Sequence, residues 1–272
     1  MIDLLFWAPV MVAGTLAGVS TGVLGTYIVG MRIPFLGICI SHAALAGAVF
    51  GALFGLSGPS LMLPALAAAL AAGLLIGMVD PQTVRTDLNV VLGILFSLTM
   101  GLAFLGLGLF SVYGISDNEV RNLLWGSLAF CRWQDVWLMA GTATVEFAFV
   151  AAFFKETRAI LFSRVHAAAA GVHVTLVWTL FLLVASLVLT VNFQTVGGLM
   201  IYSLMTNPAV AASQLTRGYG RALVLSALLG GISGLGGFLV SALTDLPTGA
   251  MIVIVSSLLV VVAAVAGRLR RG

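Results

Sequence analysis

Apolar residues occupy this chain in long stretches of roughly 20 residues, separated by short breaks that carry the charges, prolines and turn residues. As a helix, a stretch of that length covers the roughly 30 Å of a bilayer's hydrocarbon core. None shows the two-residue alternation over about ten residues that a membrane β-barrel requires. The pattern predicts helices over 5–29, 37–56, 60–78, 89–112, 134–154, 173–190, 194–213, 221–242 and 248–267. The third is short and bounded by Pro59 and Pro64, and Pro208 breaks the seventh, so the number of spans is eight or nine.

The breaks also give a direction. If the N-terminus faces outward, the inner breaks hold Arg32, Arg85, Lys155, Arg158, Arg164, Arg217, Arg221, Arg268, Arg270 and Arg271. Only Arg121 and Arg132 fall outside, so the excess of Lys and Arg on cytoplasmic loops selects N-out and C-in. Composition agrees with an all-α polytopic membrane protein: 61% of residues are hydrophobic and 8% charged, against about 25% charged in a soluble domain. The net charge of +3 and the isoelectric point near 9.2 reflect basic loops and argue against a nucleic-acid partner. Asp3 and the absence of an early Lys or Arg make the first stretch a retained span rather than a secretory signal. Cys39 and Cys131 form no CxxC pair and start from opposite sides of the bilayer, which disfavours a disulfide between them.

Two breaks exceed a turn. Residues 113–133 mix charge with Trp125 and Trp133 and predict an interfacial helix on the outer side. Residues 155–172, KETRAILFSRVHAAAAGV, predict a short inner helix that includes His166 to Ala170 and ends before Gly171, a suitable C′ residue.

Four stretches, taken in order, resemble the permease subunits of the zinc, manganese and iron ABC importers. They are FLGICISHAALAGAVFG, NVVLGILFSLTMGLAF, the loop FSRVHAAAAGVHV, and the pair VGGLMIYSLMTNPAVAAS and GGISGLGGFLVSALTDLPTGAMIVIVSSLL. The resemblance covers nearly the whole chain and implies a single type II-like permease domain over 1–272 in a bacterial or archaeal plasma membrane. It also implies three partners: a cytoplasmic ATP-binding subunit, an extracytoplasmic metal-binding protein and a second permease copy as a homodimer. ATP would sit on the partner, since this sequence has no GxxxxGK[ST] loop, and no cofactor would be held permanently. The resemblance further implies that the 155–172 segment couples to the ATPase, with Phe162, Arg164, His166 and Gly171 as candidates.

His42 is the leading candidate for function. An ionisable ring within a membrane helix defaults to a functional hypothesis, and imidazole is a common metal ligand. Cys39, three residues earlier, shares its face. The structural alternative is a histidine bonded to a neighbouring helix, with Cys39 as a small packed hydrophobe. Two departures from the family pattern bear on the metal. Ile38 stands where the family has an Asp, and Asn89 where it has an acid before the fourth helix. Imidazole and thiol without those carboxylates favour zinc over manganese.

Glu146 is the acid placed within a span, either as a missing carboxylate of the path or as a hydrogen-bonded group at a helix contact. Asp87 reads as an N-cap or a substitute acid near Asn89. Asn207 and Pro208 read as a gate or a packing kink, GGISGLGG as a close packing face, and Met200 and Met205 as soft ligands or core. A rival reading is an ion-coupled secondary transporter with Glu146 and His42 as proton relay, and a third is a membrane scaffold subunit.

Overall fold

The computed structural model describes residues 4–78, 87–116 and 128–269. Eleven α-helices lie among them: α1 (Leu4–Gly30), α2 (Phe35–Leu53), α3 (Met62–Met78), α4 (Leu88–Tyr113), α5 (Trp133–Ala152), α6 (Phe154–Phe162), α7 (Arg164–Ala169), α8 (Val174–Val196), α9 (Gly198–Leu215), α10 (Tyr219–Thr244) and α11 (Thr248–Leu269). Single 3₁₀ turns at Gly58–Leu61 and Leu128–Phe130 precede α3 and α5. No strand is present among the described residues. Eight of the helices are long and apolar enough to cross a membrane. The exception of near-membrane length, α9, carries Ser203, Thr206, Asn207, Ser213 and Gln214 among its apolar residues.

The chain folds as two compact units. One comprises 1–34, 125–143 and 192–272, the other 35–124 and 144–191. In the first, α1 and α10 run together along facing rows of small residues. Gly14, Gly18 and Gly22 on α1 meet Gly234, Gly230 and Ser226 on α10, and a Cβ at Gly18 or Gly230 would strike the other's carbonyl. The four-residue spacing puts each row on one helix face, so the backbones approach without side chains between them. Ser226 Oγ donates to the Gly22 carbonyl at 2.6 Å. α9 packs on the same helix, with the Met205 carbonyl against Gly25. In the second unit, α2 lies against α3 and α4. Gly47 and Gly51 meet Pro64, and Gly106 meets Val49. Gly73 and Gly77 of α3 face Ser186 and Thr179 of α8.

The predicted helices are all present, with differences that have local causes. α2 stops at Leu53 because Gly55 adopts a left-handed φ of 84°. α8 runs to Val196, six residues past its predicted end, since Asn192 is held inside the fold by a 3.2 Å bond from its Nδ2 to Ser20 Oγ. Pro208 does not break its helix. α9 is continuous from Gly198 to Leu215 around it, packed among protein neighbours that tolerate the missing N–H. The predicted inner helix divides into α6 and α7 at Ser163, whose extended φ/ψ of −166° and 121° cap the second piece. Most of the predicted interfacial helix, Trp125 included, lies outside the described residues.

Candidate functional site

His42 lies in the middle of α2, half-buried. Its Nδ1 is 2.9 Å from the Ile38 carbonyl, one turn earlier. A carbonyl can only accept, so Nδ1 carries the hydrogen and Nε2 keeps the lone pair in the neutral ring. This is how protein ligands to metals are commonly fixed, by a backbone acceptor at the other ring nitrogen. The ring stands edge-on to Phe96 of α4, with centroids 4.9 Å apart. Ile38 therefore supplies its backbone oxygen where its side chain has no polar atom.

The other candidates are distributed. Cys39 is fully buried, 0% exposed, among apolar side chains of the core. Asn89 lies seven residues before Phe96 on α4, about 10 Å along the axis from the residue His42 touches. Its backbone N–H and its Nδ2 both donate to Asp87 Oδ1, at 2.7 and 3.1 Å, so Asp87 is the N-cap of α4. Glu146 of α5 is 1% exposed. Among the described residues no three of His, Cys, Asp and Glu converge as a metal-holding group. Met205 is core, and Met200 packs on Gly249 beside an apolar cavity of about 910 Å³ that also touches Leu128, Phe130, Val196 and Pro247.

Asn207 has a different role from a helix break. Its Nδ2 donates to Ser203, Ser256 and Ser257 hydroxyls at 2.8, 3.0 and 3.1 Å, tying α9 to α11. The Ser256–Ser257 pair was a visible polar notch in the apolar run of α11. Nothing in the sequence indicated which helix it would meet.

The segment between α5 and α8 is built from caps. Ser163 Oγ accepts from the His166 backbone N–H at 3.3 Å and lies 2.9 Å from His166 Nδ1, so His166 folds back on the start of its own helix. At the far end the N–H groups of Gly171 and Val172 donate to the Ala168 and Ala167 carbonyls, both at 3.0 Å. This is a Schellman closure with Gly171 at φ 85° as its left-handed C′ residue. Phe162 and Val165, on either side of the extended Ser163, stand 84% and 63% exposed. Arg164 turns the other way, its guanidinium carbon 4.5 Å from the centroid of the Trp178 ring on α8.

A model of the ABC 3 transport family matches residues 1–267. The chain belongs to that family. It is 28% identical to the manganese transport system membrane protein MntC of Listeria monocytogenes over 259 residues, covering 95% of this chain and 89% of that one. It is 30% identical to the zinc transport system membrane protein TroC of Treponema pallidum over 249 residues, covering 90% and 84%. Its fold matches a chain of PsaBC from Streptococcus pneumoniae, solved with a Fab, at a TM-score of 0.80 and 20% identity, over 95% of this chain and 90% of that one. Family membership displaces the secondary-transporter and scaffold readings. Relatives named for manganese outnumber those named for zinc, so they lend no support to a zinc preference.

Proposed function

We propose that this chain is the membrane-spanning subunit of an ATP-driven importer and conducts a divalent transition metal, manganese or zinc, into the cell. The family match across residues 1–267 carries this reading, and the relatives' names point to the cargo. An ATP-binding subunit on the inside, a metal-binding protein on the outside and a second permease copy complete the transporter. With α9 crossing as a ninth span, the orientation is N-out and C-in, which places α6 and α7 on the ATPase side together with most of the Lys and Arg residues.

His42 is the station on the path. Its Nε2 offers one neutral nitrogen, with Nδ1 anchored to Ile38. A single imidazole holds a metal loosely, which suits a site that must release its ion as readily as it takes it. Cys39, buried in the core, packs rather than ligates. Phe162 and Val165 form the apolar knob that seats in a groove of the ATPase, in the manner of a helix-in-groove contact. Alternate closure of the ATPase then exposes the path to one side or the other.

The deciding experiment is uptake of manganese and of zinc into vesicles containing this chain, its ATPase and its binding protein, with and without ATP. ATP-dependent accumulation of either ion supports the reading. Uptake that ignores ATP but collapses with a protonophore would overturn it.

A further inference from the structure

Beside the exposed knob, Arg164 of α7 turns inward, and its surroundings assign it a mechanical part. Arg164 lies over the ring of Trp178, which is 3% exposed. Trp178 stacks on Phe181, with centroids 5.8 Å apart and planes at 26°. Phe181 packs on Phe149 at 6.3 Å, and Phe149 on Phe153 at 5.1 Å. Phe153 is the single residue between α5 and α6, and its carbonyl accepts from Thr157 Oγ1 at 2.6 Å. One continuous run of rings thus joins the start of α7 to α8 and to the α5–α6 junction.

We propose that Arg164 is a positioning residue: its cation–π contact with Trp178 latches α7 to the membrane helices, so that a push on the knob moves α8 and α5 rather than α7 alone. This rests on the reading of α6 and α7 as the ATPase-coupling segment. The two sides of the α6–α7 junction divide the work. Phe162 and Val165 meet the partner, and Arg164 holds the chain's own core. A guanidinium over a desolvated indole suits a latch, because the attraction survives burial and needs no hydrogen-bond acceptor. The indole Nε1–H of Trp178 has no acceptor among the described residues, so the ring face is the part of Trp178 that is engaged.

The test uses the full transporter in vesicles and reads metal accumulated per ATP hydrolysed. Arg164→Gln and Trp178→Leu should each lower that ratio about fivefold. The double variant should be no worse than the worse single one, as for two groups that act through one contact. Trp178→Phe and Arg164→Lys keep a ring and a cation and should recover most of the ratio. Co-purification with the ATPase should persist in all of them, since the knob is untouched. Single losses that multiply in the double variant, or a Trp178→Phe as poor as Trp178→Leu, would overturn the latch. A wild-type transporter that shows no ATP-dependent uptake would sink the coupling reading itself, an outcome distinct from a coupled wild type with uncoupled variants.

Discussion

A histidine in a membrane helix is useful only if one nitrogen is kept available, and here the backbone does that. With Nδ1 donating to Ile38, His42 presents Nε2 without spending a second side chain. His42→Ala should reduce metal uptake on the order of tenfold or more in ATP-driven vesicles. Cys39→Ala should leave the order of preference between manganese and zinc unchanged, because the thiol is enclosed by core side chains. A changed preference in that variant would put Cys39 on the path. Cys131, just before α5, is a second thiol with a measurable signature. Burial and the nearby Asp135 carboxylate push it up to about 12 from an ordinary value near 9. At pH 8 in a Cys39→Ala background, maleimide should therefore label the folded protein on the order of a thousandfold more slowly than the unfolded one. The buried neutral thiol contributes its full share of stability below pH 9, and that share is lost as pH rises towards about 12.

At the scale of elements, close helix contacts and caps set what can be changed. Gly18 and Gly230 bring α1 and α10 to carbonyl contact, so Gly18→Leu forces the helices apart at a cost of about 1–3 kcal/mol or more. The expected readout is a clear loss of thermal stability in detergent. Gly171 fails differently. A Cβ there meets nothing within 4 Å, but its φ of 85° excludes β-branched residues. Gly171→Val should strain the Schellman closure by roughly 1–3 kcal/mol and lower metal moved per ATP, whereas Gly171→Asn should retain most of it.

The elements were largely legible because hydrophobic length is a one-dimensional signal. What escaped the sequence depends on neighbours. α8 continues past residue 190 because Ser20, 172 positions away, receives Asn192. Pro208 stays helical because α9 is enclosed. His42 and Gly171 could be picked out locally, one as an ionisable ring in lipid and the other as a helix stop. Trp178 and Val165 could not, since an indole in an apolar helix and a valine in a basic segment carry no mark until α7 packs against α8 through Arg164.

For the whole molecule, the proposed orientation makes a plain demand. A cysteine introduced at Arg158 should react with an impermeant maleimide only from the inner side, and one at Leu56 only from the outer side. Reversed labelling would invert the topology. The share of each span that is buried differs widely, 67% for α1 and α2 against 22% for α4 and α11. Rows such as Ile94, Leu98 and Leu105 on α4 and Leu258, Val261 and Val265 on α11 stand exposed, apolar faces suited to lipid.

The serine–asparagine cluster between α9 and α11 has a consequence for how the chain is made. Alone, α9 pairs the Asn207 amide only with Ser203 of its own helix and leaves the rest of that amide to hydrocarbon, a cost of about 1–3 kcal/mol. The groups that relieve it, Ser256 and Ser257, are synthesised about fifty residues later. α9 is therefore held in the membrane more firmly once α11 has joined it. Replacing Ser256 and Ser257 together with Ala should raise the maleimide labelling of a cysteine placed in α9, and unchanged labelling would count against this role for the cluster. A helix completed by a later one has its place in the membrane tied to the arrival of that partner.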